Sequence, residues 1–115
     1  MLLAKRSIWI LFSVLILATQ VLSVEKKILR KKKLIVDVCT AWEFRQKHYP
    51  GAINIPSDEI EGKLKEFGNK KRPVVVYCAS GVRAEEAKET LQELGFTNVT
   101  NGGSLEEMLK NKKSQ

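Results

Sequence analysis

Ten residues constrain this chain more than any other stretch: Val74-Val75-Val76-Tyr77-Cys78-Ala79-Ser80-Gly81-Val82-Arg83, followed at once by the Ala/Glu/Lys/Leu-rich run Ala84 to Leu94. β-Branched residues and a Tyr predict a buried strand, and the run beyond the loop predicts a helix, so Cys78 falls at a strand-to-helix turn. The first amides of a helix have no intrahelical partner and carry the positive end of its macrodipole, and they favour an anion in the loop before them. For Cys78 that anion is the thiolate. Ala79, Ser80 and Gly81 are small enough for the backbone to curl around the sulfur with its amides inward, and Gly81 reaches a positive φ at little cost. Such surroundings lower a thiol pKa from about 8.5 by one to several units, giving a nucleophile that needs no general base. The chain's single histidine is His48. On the loop alone, a second role stays open for Cys78, that of a small buried apolar residue ending a strand.

Strand and helix signals alternate from Leu34 onward. Leu34 to Val38 reads as a first strand, and Thr40-Ala41-Trp42-Glu43 as a capping box that opens a short helix. Pro50-Gly51 marks a turn before a short strand over Ala52 to Asn54. Ser57 can cap a helix from about Asp58 to Phe67, with Gly68-Asn69 as its stop. The strand Pro73 to Tyr77 leads into the Cys78 loop and the helix Ala84 to Leu94, closed by Gly95. A last strand over Asn98 to Thr100 and a capping box at Ser104-Leu105-Glu106-Glu107, starting a terminal helix, complete the pattern. Alternation of this kind predicts a small α/β domain: a parallel sheet of about four to five short strands with helices on both faces. In such sheets ligands bind beyond the carboxyl ends of the strands, where Cys78 falls.

Ahead of this domain lies a different kind of text. Ile8 to Val24 is a 17-residue stretch without a charged residue, preceded by Lys5 and Arg6. It reads as a signal peptide or a membrane anchor outside the fold. Cleavage after Ser23 suits the small residues there, whereas the basic run Lys26 to Lys33 opposes translocation and favours an uncleaved anchor. The organisation expected is therefore 1–23 signal or anchor, 24–33 basic linker, 34–109 α/β domain and 110–115 basic tail. Export is the expected fate, to the periplasm after cleavage, with membrane anchoring through residues 8–24 as the alternative.

The whole chain carries 20 Lys and Arg against 13 Asp and Glu, and loss of residues 1–23 removes two basic and no acidic residues, leaving 18 against 13, or +5. Much of the excess sits in Lys26 to Lys33 and Lys110 to Lys113. Runs of this sort are solvated linkers or contacts to anionic lipid, and without interleaved aromatic residues they do not point to nucleic acid. No cluster of Cys, His and carboxylates has metal-ligand spacing, and no cofactor is expected.

The loop Tyr77-Cys78-Ala79-Ser80-Gly81-Val82-Arg83 resembles the active-site loop of rhodanese-type sulfurtransferases. Ile35-Val36-Asp37-Val38 resembles that family's first core strand. His48-Tyr49-Pro50-Gly51-Ala52-Ile53-Asn54-Ile55-Pro56 resembles its second signature, and Leu94-Gly95-Phe96-Thr97-Asn98-Val99 with Asn101-Gly102-Gly103 its C-terminal segment. The match runs from about Leu34 to Met108 and is most similar to the single-domain exported phage-shock rhodaneses. The resemblance implies a rhodanese-like fold and a double displacement in which Cys78 takes a sulfane sulfur from a small anionic donor such as thiosulfate. Cys78 holds it as a persulfide and yields it to a thiophilic acceptor, cyanide or a thiol. Ala79, Ser80, Gly81, Val82 and Arg83 then form the substrate-binding loop: amides face the sulfur and Arg83 the donor's oxygens. A monomer is expected.

Two other classes remain beside this one. Cysteine-dependent phosphatases also set a thiolate in an amide loop with an Arg, but in a Cys-x5-Arg ring. Here four residues separate Cys78 from Arg83. A regulatory binding module on a catalytically dead fold would be expected to lack Cys78. The family commonly has Arg where this chain has Cys39, a departure that removes an expected ion pair near residues 38–42. Cys39 reads as a buried inert thiol or, on the other view, as a resolving thiol for a Cys78 persulfide. His48 is expected to hold the turn before Pro50, and Asp37 to anchor backbone amides at its strand end.

Overall fold

A computed structural model describes residues 2–114 and, within the first helix, the side chains of 7–25 and 27. The chain divides into two compact units, residues 1–31 and 32–115. The first is a single helix, α1 (Leu2–Lys31). Its segment Ser7–Glu25 is apolar and fully outside any core, with a mean hydropathy of 2.1, and is long enough to cross a membrane. Helix continues to Lys31, through most of the 24–33 segment that the sequence assigns to a linker, and Lys32 and Lys33 lie outside it.

The second unit is the α/β domain. Its strands are β1 (Leu34–Asp37), β2 (Ile53–Asn54), β3 (Val74–Cys78) and β4 (Val99–Ser104). All pair parallel, in the order β2-β1-β3-β4, with Asp37 opposite Tyr77 and Val36 opposite Val76. Four strands match the lower end of the expected number. The helices are α2 (Ala41–Gln46), α3 (Leu64–Phe67), α4 (Val82–Glu93) and α5 (Leu105–Lys113).

The period of two along β3 sorts the layers. Val74 and Val76 belong to the main core with Val36, Ile55, Ile60 and Phe67, and Ala84, Ala87 and Leu91 of α4 close over them. Val75 points the other way, towards α5, where a Cβ on Gly102 would meet both Val75 Cγ1 and Met108 Sδ. The sheet is thus covered on both faces, as the strand–helix alternation requires.

Both expected capping boxes are present. Thr40 accepts from the Glu43 N–H while Glu43 accepts from the Thr40 N–H, and Ser104 and Glu107 do the same at the start of α5. One expectation is corrected: no continuous helix runs from Asp58 to Phe67, and Ser57 caps nothing. Its N–H donates instead to the Val38 carbonyl, which ties the segment to β1. A 3₁₀ turn over Glu61–Lys63 follows, and only Leu64–Phe67 is α-helical. Gly62 within the turn weakens helix propagation, while Ile60 and Phe67 bury themselves as two anchors rather than as one helical stripe. The terminal helix extends to Lys113, so the basic residues after 109 form its last turn.

Candidate active site

β3 delivers Cys78 to the carboxyl edge of the sheet, fully buried, and α4 begins four residues later. Gly81 makes the bend. Its φ is +92°, and a Cβ there would stand 3.3 Å from the Gly103 Cα, so a side chain would be both strained and crowded where the two backbones meet. The Gly81 N–H donates to Cys78 Sγ at 3.0 Å. Burial pushes the thiol pKa up, but the backbone N–H groups of Ala84, Ser80, Gly81 and Arg83 outweigh it, and the net shift is downward. Of the amides of 79–83 expected to face the sulfur, those of Ser80, Gly81 and Arg83 act on it, joined by that of Ala84 in α4.

Asn101 on β4 holds that nest in place. Its side-chain amide donates to the Gly81 carbonyl at 3.2 Å and to Glu85 Oε2 at 2.7 Å, and its Oδ1 accepts from the Gly103 N–H at 2.8 Å. The sequence showed Asn101 as part of a loop-like Asn-Gly-Gly and gave no sign of this clamp.

The other loop residues separate into backbone and side-chain contributors. Ala79 and Ser80 are exposed, and Val82 is 64% exposed at the head of α4, its side chain outward. Ser80 and Gly81 act on the sulfur through their amides. Arg83 turns inward and crosses to α2, where its guanidinium grips Glu43 with both arms, Nη1 to Oε2 at 2.9 Å and Nη2 to Oε1 at 3.1 Å. Hydrogen bonding from Arg83, then from the Thr40 amide, holds the Glu43 carboxyl down at about 2. Arg83 is correspondingly pushed up by the same pairing. A bidentate fork of this kind fixes orientation as well as charge. Glu43, visible in the sequence only as a capping residue, therefore belongs to the site.

Cys39 lies beside this pair, 5% exposed, with Arg83 Nη2 at 3.7 Å from its Sγ. Burial, followed by hydrogen bonding and charge from Asp37, pushes its thiol up to about 12. Asp37 Oδ1 accepts from the Cys39 N–H at 2.8 Å, the amide-anchoring role expected of it. β1 and β3 are immediate neighbours, so the two thiols stand on adjacent strand ends; both are free. His48 Nδ1 donates to the Phe44 carbonyl at 2.8 Å and its ring stacks on Phe44. The turn that follows is fastened by Tyr77, whose hydroxyl accepts from the Tyr49 N–H at 2.8 Å.

Cys78 opens onto a cavity of about 280 Å³ walled by Cys39, Trp42, Glu43, Tyr77 and Leu105 among others. Among the described residues no group of three His, Cys, Asp or Glu gathers where it could hold a metal ion. The chemistry on offer is that of one low-pKa sulfur in a ring of amides: nucleophilic attack, and stabilisation of an anionic sulfur adduct.

Comparison with known proteins agrees with this geometry. Residues 22–109 match the rhodanese-like domain family. Over 74 residues the chain is 38% identical to the thiosulfate sulfurtransferase PspE of Escherichia coli, covering 64% of this chain and 71% of that protein. Among solved structures, a rhodanese with anions from E. coli superposes with a TM-score of 0.63 at 36% identity, over 66% of this chain and 91% of the other. The human single-domain sulfurtransferase TSTD1 gives 0.61 at 25% identity, over 77% and 89%. The chain belongs to the family of rhodanese-like domains and is a sulfurtransferase of the rhodanese type.

Proposed function

We propose that the chain moves a sulfane sulfur from a small anionic donor, thiosulfate in the simplest case, to cyanide or a thiol through a persulfide on Cys78. The observation that carries this reading is the Cys78 sulfur itself, buried at a strand end, accepting from the Gly81 N–H at 3.0 Å and with its pKa moved downward by the backbone N–H groups around it. The thiolate attacks the outer sulfur of the donor, the sulfur–sulfur bond of thiosulfate breaks, and sulfite leaves with the electron pair. The persulfide anion then occupies the same ring of amides, which needs no rearrangement between the two half-reactions.

Residues 79–83 form the substrate-binding loop in this scheme. Arg83 has five N–H donors, of which two hold Glu43 and one points at Cys39. Those remaining can take a donor oxygen, with the guanidinium oriented in advance by Glu43. The Cys-x4-Arg spacing supports sulfur over phosphate, because a ring one residue smaller than that of the cysteine phosphatases fits a single atom. The apolar segment of α1, with Lys5 and Arg6 ahead of it, supports export as a signal, cleaved after Ser23, or anchoring through residues 8–24. The domain is taken to act as a monomer.

Intact-mass measurement tests the central claim. After incubation with thiosulfate the protein should gain one sulfur atom, localised to Cys78 and removed by cyanide. A protein whose mass does not change, while Cys78 still reacts with iodoacetamide, would instead be a binding module.

A further inference from the structure

Every strand of the sheet is parallel, so one edge holds all the carboxyl ends, with Cys78, and the opposite edge holds all the amino ends. Two basic runs far apart in the sequence meet at that second edge. Lys32 and Lys33 lead into β1, Lys70, Lys71 and Arg72 lead into β3, and the two strands start level, with Leu34 opposite Val74. The runs are also bonded to each other: Arg72 Nε donates to the Lys32 carbonyl at 2.9 Å, and the Leu34 N–H to the Pro73 carbonyl at 2.8 Å. The four lysines are exposed, and among the described residues no carboxylate forms an ion pair with any of the five cations. Lys112 of α5 lines one cavity with Lys33, and no carboxylate stands in its wall. Like charges gathered in this way repel one another, and a polyanionic surface laid against them removes that penalty.

The segment ahead of this edge selects the polyanion. Ser7–Glu25 is apolar, unburied and long enough to cross a membrane, and the chain enters the domain at Lys32. We propose that the amino edge of the sheet, through Lys32, Lys33, Lys70, Lys71 and Arg72, docks on an anionic bilayer surface, with Cys78 at the opposite edge facing the aqueous phase. The inference rests on the anchor reading of residues 8–24 and adds to it a domain seated on the lipid by one edge. Each basic residue is attracted to an anionic leaflet only within about a Debye length of it. Arg72 and Cys78 are six residues apart along β3 and its approach, which at about 3.3 Å per residue sets the sulfur about 20 Å from the edge. That is about twice the Debye length at physiological salt, so the surface charge that holds the edge does not repel an anionic donor from the sulfur.

Lysine footprinting of the full chain in lipid nanodiscs tests the edge. Acetylation by a membrane-impermeant N-hydroxysuccinimide ester is followed by peptide mass spectrometry, with the exposed Lys47, on the wall of the Cys78 cavity, as the internal reference. On phosphatidylcholine containing about one-third phosphatidylglycerol, the rate at Lys70 and Lys71 relative to Lys47 should be about threefold or more below its value on phosphatidylcholine alone. Raising salt to about 1 M, where the Debye length is about 3 Å, should restore it. Lys32→Glu combined with Lys33→Glu should remove most of the protection at Lys70 and Lys71, residues it leaves untouched, while the reaction of Cys78 with iodoacetamide stays unchanged. An equal ratio on the two lipids overturns the docking inference and leaves the anchor standing. A chain that does not enter nanodiscs at all takes away the anchor reading and this inference with it. Protection that appears when RNA is added to neutral nanodiscs, and not on anionic lipid, would overturn the inference and assign the edge to nucleic acid.

Discussion

Cys78 and Cys39 are the same residue type, buried at the ends of adjacent parallel strands, and their thiols are driven in opposite directions. Burial opposes ionisation in both. At Cys78 it is overcome by main-chain N–H groups that converge because the loop turns straight into the twelve-residue helix α4. At Cys39 the neighbouring polar group is the Asp37 carboxylate, which adds to the penalty, and the Arg83 charge close by is already engaged with Glu43. Depth therefore does not decide whether a cysteine is reactive. The sign of the nearest fixed dipoles and charges does.

The most severe way to break this contrast is Cys78→Ser. It should abolish thiosulfate-dependent sulfur transfer, by about 1,000-fold or more, with an unchanged far-UV circular dichroism spectrum, since a hydroxyl is not ionised by such a ring. Retained activity would move the chemistry away from this loop. A second measurement compares the thiols in one molecule: at neutral pH iodoacetamide should modify Cys78 at least about 100-fold faster than Cys39. Cys39 should become alkylatable only on unfolding, and peptide mapping after diamide should find no bond between them. Adjacent strands lie about 4.8 Å apart, within the about 7 Å that a disulfide needs between Cα atoms, so distance alone does not prevent one. Recovery of that disulfide would make Cys39 a resolving thiol.

These outcomes depend on features the sequence displayed unequally. The Cys78 nest was legible because everything it needs is consecutive: strand formers, three small residues, then helix formers. Both capping boxes were legible for the same reason. β4 was expected to stop at Thr100, since Asn101-Gly102-Gly103 carries no strand signal; pairing with β3, with a register shift between Val76 and Cys78, extends it to Ser104. The Arg83–Glu43 fork joins residues 40 apart, and the Asn101 clamp spans 20 to Gly81. Neither leaves a periodic trace, because polar contacts across a site follow from the assembled fold rather than from local pattern.

The thiols should also part company in alkali. The folded pKa of Cys39 is raised, so its thiol form contributes stability below the unfolded pKa of about 8.5, and that contribution is lost as pH rises towards about 12. Cys78, with its folded pKa lowered, gives stability that is fully present above the unfolded value and is lost as pH falls through the folded one. Urea denaturation of Cys39→Ala should therefore show a smaller loss of stability between about pH 9 and 11 than the unaltered chain, while costing about 1 kcal/mol at neutral pH. A parallel alkaline decline in both proteins would show that Cys39 is not the group responsible.

The smallest effect concerns the fork. Both partners are about one-third exposed, so Glu43→Gln should lower stability at pH 7 by less than about 1 kcal/mol. Glu43 has a depressed folded pKa, about 2, so the difference from the unaltered chain should shrink as pH drops below about 4.3 and vanish near 2. A difference that persists at pH 2 would assign the loss to the Thr40 capping box rather than to the ion pair.

The Cys78 sulfur accepts from a main-chain amide, that of Gly81, and the Gly81 backbone is in turn crowded by that of Gly103. Point mutation rewrites side chains and leaves amides where they are. This site is consequently divided into a part that heredity cannot edit without deforming the chain and a part it can edit freely. The former sets how reactive the sulfur is; the latter, Trp42, Gln46 and Lys47 on the cavity wall, faces what comes to meet it. Descendants of such a gene can change partners many times over while the nucleophile stays as it was.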